Sequence, residues 1–134
     1  MDNDDAEFTV AVRLYGHALV PATVTENIGI VPSFARAKGD KSLTRPSQVP
    51  AKIGVWSLEG KARTISLQDQ VSELAAKLAG YGKPLLTIPG VEEGHTDLFI
   101  TGGRVQEGYF FEMTPETLSK LSQIGLPVHI TVSA

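Results

Sequence analysis

Apolar and polar positions alternate along residues 8–16, FTVAVRLYG. Phe8, Val10, Val12 and Leu14 share one side, and Thr9, Ala11, Arg13 and Tyr15 share the other. A two-residue period predicts a strand with one face in a core. The next stretch, VPATVTENIG, changes rhythm: Val24 and Ile28 are four apart, Pro21 suits a first helical turn and Gly29 a stop, which predicts a helix of two turns. Residues 53–59, IGVWSLE, return to alternation with Trp56 and Leu58 opposite Val55 and Ser57. In residues 66–80 the apolar set Leu67, Val71, Leu74, Ala75 and Leu78 forms one helical stripe, opened by Ser66 and Asp69 at capping-box spacing and ended by Gly80. The stretch GKPLLTIPG reads as either a short strand or an extended connector.

Residues 95–103 and 107–113 read as an antiparallel pair around a glycine-rich turn. A helix over 114–125 follows, with cap Thr114, first-turn Pro115, inward Leu118, Leu121 and Ile124, and stop Gly125. A last strand, 127–132, sets Val128, Ile130 and Val132 against His129 and Thr131. The predicted order is βαβαββαβ, whose last six elements follow the ferredoxin-like order. The expected fold class is α+β: a mostly antiparallel sheet of about five strands with helices packed on one face. Residues 1–6 are expected to be a flexible N-terminus. Residues 7–134 are expected to form a single domain, interrupted by a long irregular loop at 31–52 that contains Pro32, Gly39, Pro46 and Pro50.

If the helices cover one face, alternation sorts the side chains. Leu14, Trp56, Leu98, Ile100, Phe111 and Ile130 point at the helices, with Trp56 expected beside the second helix. Arg13, Tyr15, Ser57, Asp97, Phe99, Phe110, Glu112, His129 and Thr131 point away. A solvent face rarely keeps three aromatics, so this face is expected to meet something: the 31–52 loop, a second copy, or another protein.

Composition narrows the possibilities. The chain has 134 residues, 42% apolar and 20% charged, as a globular domain does. It has no cysteine, which excludes disulfides, thiol nucleophiles and cysteine-bound metals. No apolar run is long enough to cross a bilayer and no signal-like segment opens the chain, so a cytoplasmic location and no membrane partner are expected. The net charge of −3 is unevenly spread. Residues 34–63 carry seven basic side chains against Asp40 and Glu59, a local +5, and the remainder is −8. Such a segment is either a solvated loop or a grip for an anionic surface.

Candidate chemistry is thin. Glu93, His95 and Asp97 stand at alternate positions that could converge on a cation, but Glu93 falls in an expected turn, and no metal or cofactor is called. Arg13, Glu112 and His129 could meet on the open face as an acid–base group or as a cross-strand charge network. AKGDKS lacks P-loop spacing, and TGGRVQEG reads as a hairpin turn and not a dinucleotide fingerprint. Phe34 is the one aromatic among the basic loop residues and the chain is acidic overall, so no nucleic-acid partner is expected.

Several segments together resemble a known family. RLYG in the first strand, NIGIVPSFARAKGD, the tryptophan strand GVWSLE and the closing TPETLSKLSQIGLPVHITV are similar to the bacterial domain-of-unknown-function family 4279, from Phe8 to Val132. The most specific pieces are Ile28-Gly29-Ile30, Pro32, Lys38-Gly39-Asp40 and Trp56. The resemblance implies a small bacterial α+β protein without established activity. By analogy alone, the resemblance also implies an immunity role, since small single-domain proteins encoded beside polymorphic toxins tend to be non-catalytic immunity proteins. The glycines and prolines of residues 27–42 have architectural roles to fill, whereas Arg36, Lys38, Asp40 and Lys41 show no structural duty and could grip a partner.

The reading that results is a non-catalytic protein-binding module, its most specific form an immunity-type protein that neutralises a toxin domain. Its expected contact residues are Arg13, Tyr15, Phe99, Phe110, Glu112, His129, Arg36, Lys38, Asp40 and Lys41. The alternatives are a small-ligand binder or enzyme on the open face, and a homodimer.

Overall fold

The computed structural model describes residues 7–40, 51–60, 66–101 and 111–133. In chain order they form strand β1 (Glu7–Gly16), helix α1 (Pro21–Ile28), strands β2 (Phe34–Arg36) and β3 (Gly54–Glu59), and helix α2 (Leu67–Leu78). Strand β4 (Glu93–Thr101), helix α3 (Pro115–Ile124) and strand β5 (Val128–Ser133) complete the set. One five-stranded sheet has the order β2-β3-β1-β4-β5. The first three neighbouring pairs are antiparallel and β4–β5 is parallel. The class is α+β as expected, with a mixed sheet.

The core follows the alternation of β1. Val10, Val12 and Leu14 are fully buried with Trp56, Leu58 and Leu98, and the apolar stripes of all three helices close over them. Trp56 lies in the same core cluster as the stripe of the second helix and is hydrogen-bonded to the first: its Nε1 donates to Thr25 Oγ1 of α1 at 3.0 Å. The indole thereby buries its ring without leaving its N–H unpaired. Helix α2 adds a polar clamp from the buried Gln70. Its Oε1 accepts from Val10 N–H at 3.0 Å and its Nε2 donates to Phe8 C=O at 2.7 Å. Val10 C=O already accepts from Gly60 N–H, where β3 ends. The Gln70 amide thus continues the ladder where the strand runs out, and Gly60 makes room for it, since a Cβ there would lie 2.7 Å from Gln70 Oε1.

Local signals were read well at helix starts. Ser66 Oγ accepts from Asp69 N–H and Thr114 Oγ1 from Thr117 N–H, and Pro21 and Pro115 open α1 and α3. Gly29 and Gly125 end their helices in left-handed conformation. The stop of α2 differs from expectation. A 3₁₀ turn over Ala79–Tyr81 carries the chain past Gly80, and Gly82 supplies the left-handed residue. GKPLLTIPG is neither strand nor extended connector, because Leu85–Thr87 make a second 3₁₀ turn.

Four larger departures follow. Part of the 31–52 segment is β2, a three-residue strand paired to β3, too short to leave a period in the sequence. The expected partner strand at 107–113 is not seen in its described part: Phe111–Met113 are irregular, and the rest lies outside the described residues. Among the described residues β4 is followed by α3 and a β5 parallel to β4, so the ferredoxin-like order is not seen in them. Finally, Leu118 is 50% exposed and Thr117 takes its inward place on α3.

Candidate functional site

Register determines what the sheet presents away from the helices. Arg13 stands between Ser57 of β3 and His95 of β4, Ala11 between Glu59 and Asp97, and Tyr15 between Val55 and Glu93. Strand β5 sets His129 beside Asp97 and Thr131 beside Phe99. Strand β2 adds Phe34 beside Ser57 and Arg36 beside Val55. Cross-strand neighbours share a face, so all these side chains stand on the open side.

At the centre is a charged and aromatic cluster. Arg13 Nε lies 3.5 Å from Asp97 Oδ2, an ion pair in which the Nε–H has no hydrogen-bond partner among the described residues. His95 Nε2 is 4.0 Å from the same carboxylate oxygen. Running diagonally over β1, β4 and β5, Tyr15 stacks on His95 at 5.6 Å between ring centroids, and His95 on His129 at 4.1 Å. Burial pushes the His95 imidazole below its usual pKa, and neighbouring His129 adds to the effect against the opposing pull of Asp97. Burial also lifts the Tyr15 phenol above its usual range, with Arg13 opposing. At neutral pH His95 is therefore an uncharged ring held in a stack. Beside the cluster, the small side chain of Ala11 leaves a hollow of about 230 Å³, lined by Thr9, Ala11, Arg13, Glu59, Asp97 and Phe99.

The expected contact residues are only partly assembled here. Arg13, Tyr15, Phe99 and His129 share the open face, and β2 brings Arg36 onto it from what read as loop. Lys38 is exposed just beyond β2. Glu112 does not join Arg13 and His129: its carbonyl is held by Gln68 Nε2 of α2, on the helix side, where neighbouring Phe111 packs edge-on against Phe8. The acid that meets Arg13 is Asp97. Asp40 has a structural duty after all. Its Oδ2 accepts from Ala37 N–H at 2.9 Å and clasps the turn that Gly39 makes in left-handed conformation. Phe110 and Lys41 lie outside the described residues.

Sequence reasoning missed His95 and Phe34 as members of the face. His95 had been grouped with Glu93 and Asp97 as a possible cation site. Glu93 opens β4 and is not in a turn, so the three do share a face. Asp97, however, is turned to Arg13, and among the described residues no set of three or more His, Asp or Glu side chains is arranged to hold a metal ion. The two-residue period from Asp97 back to His95 places His95 on the same face; the stack itself depends on which strands are neighbours.

The molecule is thus an α+β protein with one sheet face packed by helices and the other bearing a polar–aromatic cluster. A family model described as a domain of unknown function (DUF4279) matches residues 6–134, and the chain belongs to that family. Neither a curated protein nor a solved structure matches it. Among the described residues, no helix is long and apolar enough to cross a membrane.

Proposed function

We propose that the protein is a binding module that presents its open sheet face to another protein in the cytoplasm, in the manner of an immunity protein that occludes a toxin domain. The observation that carries this reading is the Tyr15–His95–His129 stack beside the Arg13–Asp97 pair, flanked by half-exposed Phe34 and Phe99. Aromatic rings and arginine are the side chains that anchor protein interfaces: the rings bury much area for little lost side-chain freedom, and the planar guanidinium both stacks and donates several hydrogen bonds. On the open face, size argues against a small-molecule site. The hollow of about 230 Å³ is below the several hundred Å³ that a small ligand usually fills, and it suits a single partner side chain.

The test is protection by co-expression with each of the proteins encoded by the genes that flank this one, screened for toxicity. The wild-type chain should bind and protect, and Phe99→Lys and Arg13→Glu should each lose protection while the chain stays folded by circular dichroism. Equal protection by all three chains, or by none, would reject the open face as the working surface.

A further inference from the structure

The two edges of the sheet are built differently. On one side β2 is a three-residue edge with Arg36 within it and Lys38 just beyond, the short and charged form that discourages pairing. On the other side β5 runs six residues, VHITVS, without lysine, arginine, acid, proline or bulge. No described strand lies outside it. Thr96 N–H donates to Pro127 C=O at 2.8 Å. That register turns the backbone groups of His129 and Thr131 toward β4, and leaves the N–H and C=O of Val128, Ile130 and Val132 directed outward.

The side chains repeat the same message. Val128, Ile130 and Val132 share the helix-side face with Thr96, Leu98 and Ile100, yet they are 38%, 48% and 45% exposed. Ile130 was expected to point at the helices; it does stand on that side, but nothing described covers it fully. Helix α3 adds to the stripe. Its Lys120 reaches α2, donating to Ser72 Oγ at 2.8 Å, so the Glu116–Lys120 flank faces that neighbour. At about 100° per residue, Leu118 falls on the opposite flank, toward β5, and is 50% exposed.

From this arrangement we infer that β5 pairs antiparallel with β5 of a second copy, joining two sheets into one across a twofold axis at Ile130. The occupant follows from self-complementarity. With the axis at Ile130, Val128 meets the other copy's Val132, and each outward-facing residue exchanges two N–H···O=C bonds with its opposite number. The twofold keeps both helix layers on one side, so the apolar stripes of the two copies abut and the two Leu118 side chains approach across the axis. His129 falls opposite the other copy's Thr131, so no like-charged side chains face each other at neutral pH. Six residues span about 20 Å, and the sheet and helix layers together are about 20 Å deep, which offers on the order of 400 Å² per copy. That is about 800 Å² in total, below the size of standard specific interfaces, so the dimer is a weak one that forms only at high chain concentration. The inference is independent of the role proposed for the open face.

Sedimentation equilibrium over about 1–500 μM, paired with amide hydrogen exchange of the full chain, tests it. The expected result is a rise from one to two chain masses with concentration. The amides of Val128, Ile130 and Val132 should gain protection in step, and those of His129 and Thr131 should be protected throughout. Ile130→Lys should hold the chain at monomer mass across the range with unchanged circular dichroism, and Leu118→Glu, on an exposed helix position, supplies a second variant should the first not fold. A monomer throughout, a dimer that both variants leave intact, outer-edge amides already protected in the monomer, or a foreign strand bound in place of the second copy would each overturn it.

Discussion

Strand β4 has two faces with opposite tasks. Toward the helices it shows Thr96, Leu98 and Ile100, all buried. Away from them it shows Phe99, His95, which stacks on a tyrosine and a second histidine, and Asp97, which pairs with an arginine. The same backbone therefore carries a layer whose contacts are nearly all dispersion and water exclusion, and a layer whose contacts are electrostatic and stacked. The first should dominate stability, because burial of apolar area is worth far more than half-exposed ion pairs. The second is free to be spent on recognition, since altering it costs the fold little.

Mutations on each face can break that contrast. The largest effect should come from Trp56→Ala, which empties a fully buried site and strands the Thr25 hydroxyl. A loss of about 3–5 kcal/mol in urea unfolding is expected, and a loss below about 1 kcal/mol would mean the helix face does not carry the fold. Next is Gln70→Leu, similar in bulk but unable to serve Val10 N–H and Phe8 C=O. Leaving both unpaired should cost about 2–4 kcal/mol, with faster exchange of the Val10 amide.

Thr96→Val sharpens the contrast in the other direction. The Thr96 hydroxyl is buried on the helix face with no hydrogen-bond partner among the described residues, so replacing it with a methyl should raise stability by about 1 kcal/mol. On the open face, Asp97→Asn should lower stability by no more than about 1 kcal/mol, because Arg13 and Asp97 are partly solvated. A larger loss would show that this pair helps hold the sheet together.

The mildest effect should be a pH slope. His95 has a lowered pKa in the folded chain, so on acidification the unfolded chain takes up a proton first. Stability should be constant above about pH 6.5 on this account and decline as the pH falls toward the folded value. His129, Asp97, Arg13, Glu93 and Tyr15 surround the ring, and His95→Gln should flatten the slope in urea titrations run from pH 7.5 to 5. An unchanged slope would remove His95 as its source.

Much of this contrast was legible beforehand. The period of two in residues 8–16 sorted Val10, Val12 and Leu14 from Arg13 and Tyr15 correctly, because a strand has no other way to place its side chains. Ser66, Thr114, Pro21, Pro115, Gly29 and Gly125 marked helix ends, since capping is decided within a few residues. Glu112 was misplaced because its face depended on a strand that Phe111–Met113 do not form, and the structural duty of Asp40 was hidden because a side chain that clasps its own turn looks the same in sequence as one reaching for a partner. Three-residue β2 was invisible, and with it the route that brings Arg36 and Phe34 onto the face.

By itself the sequence determined which residues share a face within each strand and helix, and where most helices begin, because those depend on backbone geometry and neighbours a few positions away. Only the tertiary structure decided which strands lie side by side, and therefore that His95 stacks between Tyr15 and His129, that Asp97 meets Arg13, and that β5 ends the sheet parallel to β4 with its outer edge bare among the described residues. The physical reason is that strand neighbours are chosen by the packing of three helices over one shared core, a balance among residues far apart in the chain that no local pattern encodes.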